Sequence, residues 1–126
     1  MGRIAVLVVA ALVVGGLPGC NQQSAGAHRN GAAEIVATEM RFNPNRIDAR
    51  VGQPLTMTIV NHGAQRHDLA FPSIEMPGLR GVETLTMPGQ SVTLTLTFDH
   101  TGSYVFICTI PGHAASGMTG AVFVSP

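Results

Sequence analysis

Ser91-Val92-Thr93-Leu94-Thr95-Leu96-Thr97-Phe98-Asp99 alternates without a break: Val92, Leu94, Leu96 and Phe98 share one face, and Thr93, Thr95 and Thr97 share the other. Successive side chains of an extended strand point to opposite sides. A strict period of two, with β-branched residues on the wet side, therefore specifies a half-buried strand. Pro88-Gly89 supplies the turn before it. Upstream, Leu55, Met57 and Ile59 alternate with Thr56 and Thr58, and Gly52-Gln53-Pro54 opens that second strand. Residues 104–108 and 121–124 are short, β-rich apolar runs of the kind found between two layers. Residues 34–38 and 46–50 are weaker strand candidates, separated by the breaker Phe42-Asn43-Pro44-Asn45. Convincing helical periodicity is missing throughout, with room only for a short helical turn at residues 76–82. Short strands with turn residues at regular intervals imply an all-β fold, a Greek-key sandwich or barrel.

Between the last two strands lies Phe106-Ile107-Cys108-Thr109-Ile110-Pro111-Gly112-His113-Ala114-Ala115-Ser116-Gly117-Met118. A thiolate, an imidazole and a thioether on one loop suit copper, and two His, one Cys and a weak axial Met make electron-transfer copper sites. Any one of these residues alone would be ordinary: Cys108 a small core hydrophobe, Met118 a core filler, His113 a loop polar group. Together they predict a metal site. For the second imidazole, His67 is preferred because Leu69 and Phe71 continue an alternating strand from it. His62, in Asn61-His62-Gly63, is the alternative, otherwise a turn residue, and His100 before Thr101-Gly102 reads as a turn residue too.

The N-terminus has a different composition. Residues 4–14 are an unbroken run of Ile, Ala, Val and Leu after Arg3. A bilayer span takes roughly 17–25 apolar residues, so this run reads as the core of a secretory signal. Leu17-Pro18-Gly19-Cys20 resembles a bacterial lipobox, with Cys20 as the lipidation site, although Pro18 is unusual at its position. Cys20 and Cys108 are the two cysteines, so a disulfide between them is the competing assignment. Lipid on Cys20 and metal on Cys108 accounts for both thiols. The expected organisation is a signal over residues 1–20, a flexible linker over 21–33, poor in apolar residues and containing His28, and one copper domain over 34–126. Seven basic residues, all Arg, balance seven acidic ones. No basic patch is present, and nucleic acid is excluded as an expected partner.

Gly102-Ser103-Tyr104-Val105-Phe106-Ile107-Cys108, then Pro111-Gly112-His113 and Met118, resembles the C-terminal copper loop of the cupredoxins, the small blue copper proteins. The spacing, four residues from Cys to His and four from His to Met, is most similar to rusticyanin; azurin has a similar Cys-to-His interval and plastocyanin a shorter one. His67-Asp68-Leu69-Ala70-Phe71 resembles the segment that carries the family's first histidine ligand. The resemblance implies a cupredoxin-type sandwich and one type 1 copper ion held by His67, Cys108, His113 and Met118. Asp68 departs from the family pattern, which has Asn or Ser there, bonded toward the residue after the Cys, here Thr109. Either Asp68 faces water, or its carboxylate meets Thr109 and favours Cu(II), giving a potential that falls as the acid ionises.

Two functions follow as expectations. The first is a single-electron carrier, exported, monomeric and lipid-anchored, facing the periplasm or cell exterior, with membrane or periplasmic redox proteins such as cytochromes or oxidases as partners. The second is a copper storage, delivery or resistance module. Met40, Met57, Met76 and Met87 are scattered and form no Met-rich cluster, which weakens the second. An enzyme is not expected: the paired histidines of multicopper oxidases and the two-Cys loop of binuclear copper sites are both missing from the sequence.

Overall fold

A computed structural model describes residues 31–74 and 84–126. Among them are seven strands and no helix: β1 Ala32–Thr38, β2 Arg41–Asn43, β3 Arg46–Arg50, β4 Pro54–Asn61, β5 Ser91–Thr97, β6 Gly102–Ile107 and β7 Thr119–Ser125. The two alternating segments find each other. β4 and β5 pair antiparallel with Leu55 opposite Leu96, Met57 opposite Leu94 and Ile59 opposite Val92. Their apolar side chains therefore share one face. On the other face the hydroxyls of Thr56 and Thr95 meet at 3.1 Å and those of Thr58 and Thr93 at 3.0 Å. Each such cross-strand pair contributes about 0.2–1 kcal/mol.

β1 joins β4 in parallel and β2 joins β1 antiparallel, so one sheet runs β2-β1-β4-β5. The second runs β3-β7-β6, with β3 parallel and β6 antiparallel to β7. The sheets face each other through Ile35, Met57 and Ile59 on one side and Ile47, Phe106 and Val122 on the other, all fully buried. Phe42 and Phe71 stand edge-on to Phe106, with centroids 5.4 and 5.8 Å away. Such edge-to-face packing adds about 0.5–1.5 kcal/mol per pair beyond area burial. Phe106 needs the space opposite it on β7: a Cβ on Gly120 would lie 2.3 Å from its ring and 2.6 Å from the Asn45 carbonyl. The all-β sandwich is the fold the alternation predicted.

Three expectations need correction. The first strand begins at Ala32 rather than at residue 34, because its parallel ladder to β4 starts with Ala32 opposite Thr56 and buries Ala33. β2 was not expected; it contributes one inward side chain, Phe42, and three residues are too few to display a period. Residues 67–71 do not form an alternating strand. They are buried on both faces, and their backbone pairs only through isolated bridges, His67 with Thr86 and Ala70 with Ile107 of β6. Asp68 and Ala70 are buried as well as His67, Leu69 and Phe71, so no wet face is left for alternation to mark. The helical turn at 76–82 and the signal at 1–20 lie outside the described residues.

Candidate metal centre

The β6–β7 loop is closed by its own backbone. The Cys108 amide donates to Met118 O at 3.1 Å, Met118 N to His113 O at 3.1 Å, and His113 N to Ile110 O at 3.0 Å. Gly112 (φ 84°) and Gly117 (φ 102°) supply the left-handed turns this path requires. Cys108 and Met118 flank the ends of two paired strands, so the sheet fixes the mouth of the loop.

His67 arrives from elsewhere in the chain and is tied in twice. Its amide and carbonyl bond Thr86 at 3.0 and 2.8 Å, and the Thr86 hydroxyl also donates to its carbonyl. Three residues on, Ala70 exchanges two 2.9 Å bonds with Ile107, the residue before Cys108. Imidazole and thiol are therefore stitched to one strand end. Of the two candidate histidines, His67 is the one brought in; His62 and His100 are exposed.

The ligand atoms of His67, Cys108 and His113 all lie within 4.8 Å of one another. Cys108 Sγ and His113 Nδ1 are 3.5 Å apart, and the two imidazole centroids 5.2 Å apart. Bonds of about 2.0 Å to nitrogen and about 2.3 Å to sulfur, opened to about 120°, separate their outer atoms by about 3.7 Å, so one metal ion fits this spacing. His67, Cys108, His113 and Met118 are all buried. Neither ring nitrogen of His67 has a hydrogen-bond partner. A buried polar atom left unbonded is costly, and a metal bond to one nitrogen removes that cost. Soft sulfur with neutral imidazoles is a donor set for copper.

Electrostatics agree with a site built to receive a cation. Burial, and then the neighbouring His113, push the His67 pKa down, so its ring is neutral and able to donate its lone pair. Burial pushes the Cys108 thiol up, against the opposing pull of the Asp68 and Ile110 amides. A metal therefore has to displace a proton from sulfur. Asp68 is buried, and its carboxylate accepts hydrogen bonds from both the amide and the hydroxyl of Thr109. Of the two placements left open by the sequence, the carboxylate meets Thr109 and does not face water.

Several contributors were not picked out from the sequence. Gln65 Oε1 lies 3.2 Å from His113 Nε2, which fixes that ring with Nε2–H outward and Nδ1 toward the site. Asn61 is fully buried: its side-chain NH2 donates to Gln65 O (2.8 Å) and Thr86 O (2.9 Å), and its Oδ1 accepts from the Gly63 amide (2.8 Å). A signal for Asn61 existed, since the inward series Leu55, Met57, Ile59 continues to position 61 and places a polar group in the core. Glu39 and Gln65 carry no such signal. Cys20 lies outside the described residues, and Cys108 is a free buried thiol.

A family model described as a cupredoxin-like domain matches residues 4–119. The chain is 28% identical over 104 residues to the copper-resistant cuproprotein CopI of Rubrivivax gelatinosus, covering 71% of this chain and 63% of that protein. It is 33% identical over 111 residues to a multicopper oxidase of Staphylococcus aureus, covering 72% of this chain and 25% of the oxidase. This chain thus spans less than two thirds of the length of either relative. Reduced auracyanin from the photosynthetic bacterium Roseiflexus castenholzii superposes with a TM-score of 0.66 at 27% identity, covering 76% of this chain and 98% of that one.

Proposed function

Because this chain belongs to the cupredoxin family and binds copper, we propose that it is a single-electron carrier cycling between Cu(I) and Cu(II), with His67, Cys108, His113 and Met118 as its ligands. The observation that carries this reading is the closed loop and its stitched neighbour: three donor atoms converge on one buried point, held by backbone bonds in a rigid sandwich. Bound copper supplies a one-electron couple. The chain does the rest. Cys108 offers a thiolate acceptable to both oxidation states, His67 and His113 offer neutral nitrogens, and the Met118 thioether favours the reduced ion. The loop and strand ends resist rearrangement between the two states. Buried side chains keep water from the metal.

Exposed Pro111, Gly112 and Ala115 beside His113 form a rim almost without charge. That suits brief docking with membrane or periplasmic redox proteins such as cytochromes or oxidases, at interfaces below about 1,200 Å². Export, a lipid anchor on Cys20, a linker from residue 21 and a monomeric state complete the proposal. Mass spectrometry of the membrane-extracted protein tests the anchor. An unmodified Cys20 on the mature chain would remove it.

Copper(II) reconstitution tests the function: an intense thiolate-to-copper absorption and a reversible voltammetric wave are expected. Cys108→Ser should abolish the colour, and Met118→Leu should keep it while shifting the potential. The similarity to CopI favours a second reading, copper resistance by sequestration or delivery. A colourless complex, or one restricted to Cu(I), would select it. The oxidase similarity concerns a quarter of that enzyme. Among the described residues, His67, Cys108 and His113 form the single converging metal-ligand group, and we assign this chain electron transfer without substrate turnover.

A further inference from the structure

We infer that Glu39 is a positioning residue of the copper centre, whose carboxylate is the outer partner of His67 and supplies a fixed negative charge that favours Cu(II). The inference rests on His67 being a ligand. Glu39 sits in the two-residue turn between β1 and β2, beside Met40, whose backbone is left-handed (φ 59°). Its Oε1 accepts the amides of Ala64 (2.5 Å) and Gln65 (3.1 Å), a docking across 25 and 26 residues of chain. Held there, the same oxygen stands 3.9 Å from His67 Nε2. That is too long for a hydrogen bond, and because the His67 ring is neutral it is no ion pair either; the carboxylate stands at the ring edge as a fixed charge. With Nε2 turned to the carboxylate, Nδ1 is the nitrogen left for the metal.

Gly63 makes this approach possible. A Cβ at position 63 would lie 2.6 Å from Glu39 Oε1 and 2.9 Å from His67 Nε2, so any side chain there would wedge the two apart. The amides that hold Glu39 belong to the loop that also carries the Gln65 side chain to His113 Nε2. One carboxylate thus faces one imidazole directly and steadies the partner of the other. Carboxylate partners fix the orientation of ligating histidines and raise their basicity, and losing one typically costs about 10–100-fold in metal affinity. The Glu39 side chain is 43% exposed, so solvent screens it and the lower end applies.

The test compares wild type with Glu39→Gln, which keeps an acceptor and drops the charge, and with Gly63→Ala, which displaces the carboxylate. Glu34→Gln, on the exposed face of β1, is the control. Each is loaded with copper, and Cu(II) and Cu(I) affinities are measured by chelator competition, with potential by voltammetry. Expected in Glu39→Gln are retained colour, a roughly tenfold loss of Cu(II) affinity with a smaller Cu(I) change, and a raised potential. Gly63→Ala should shift both in the same direction, and Glu34→Gln should match wild type. Nitrogen NMR of metal-free wild type should show the proton of His67 on Nε2. If Glu39→Gln keeps its colour and its Cu(II)/Cu(I) affinity ratio matches wild type, the inference fails while the carrier reading stands. A colourless wild type sinks the carrier reading itself. Should Gly63→Ala not fold, the exposed Glu39 substitution still decides.

Discussion

The Cys108 amide donates to the Met118 carbonyl at 3.1 Å, so the first and last candidate ligands of the loop are joined at the backbone. The Ala70–Ile107 bonds bring His67 to that loop from a distant segment, so the full donor set comes together only in the folded state. A metal bound to all four side chains binds the native chain far more tightly than the unfolded one. Copper should therefore raise thermal stability by mass action, about 2.7 kcal/mol at free copper one hundred times Kd. Scanning calorimetry with and without a copper chelator checks this. Cys108→Ser should lose most of the increment, and an equal increment in that variant would place the binding elsewhere.

Copper uptake should also release a proton. Burial lifts the Cys108 thiol above its ordinary pKa and depresses that of His67, so near neutral pH sulfur carries a proton and the imidazole does not. The thiolate is the form that binds, and each unit rise in pH exposes more of it. Between about pH 7 and about pH 8.5 the apparent affinity should climb about tenfold per unit, levelling above the raised thiol pKa. Titration calorimetry in buffers of different ionisation heat counts the protons. A pH-independent affinity with none released would mean that the thiol is not a ligand.

Asn61 organises the approach to the site from beneath, with three hydrogen bonds that tie the Gly63 amide, the Gln65 carbonyl and the Thr86 carbonyl together. Thr86 in turn holds the His67 backbone. Asn61→Ala would leave the part-buried Gly63 amide and Gln65 carbonyl without this partner and the buried Thr86 carbonyl with the His67 amide alone, at about 1–3 kcal/mol for each group that water cannot reach. The variant should be destabilised by about 2–4 kcal/mol in urea melts, with a broadened copper absorption as His67 and Gln65 lose their fixed places. A destabilisation below about 0.5 kcal/mol would show that these bonds are replaced by water.

Period-two alternation made the β4–β5 pair legible, because both strands have one wet and one dry face, and it implied the sandwich. Cys108, His113 and Met118 were legible because one loop carries all three. His67 was singled out by the spacing of Leu69 and Phe71 and by resemblance, but the form of its segment was not legible: residues 67–71 are buried on both sides, so that spacing marks no wet face. Glu39 and Gln65 were illegible for another reason. Each acts through contacts with residues remote in sequence or on another element, and local pattern encodes no such contact. Asn61 lies between these cases, since its parity placed it inward while its residue type marked it as a turn.

Gly120 tests how closely the core and the site are coupled. It lies opposite Phe106 in the β6–β7 ladder, and an added Cβ would be 2.3 and 2.5 Å from two ring atoms and 2.6 Å from the Asn45 carbonyl. Neither neighbour yields easily: the ring is wedged edge-on between Phe42 and Phe71, and the carbonyl accepts the Ala121 amide at 2.9 Å. Overpacking a close-packed interior costs about 1–3 kcal/mol, occasionally more. Gly120→Ala should reach the upper end of that range. Phe106 stands two residues before Cys108 on the same chain, so moving its ring strains the strand end that positions the thiol. The variant should show both a lowered melting temperature and a shifted thiolate-to-copper band. A variant that melts lower with an unchanged spectrum would show that the closed loop shields the ligands from strain in the strand beneath them.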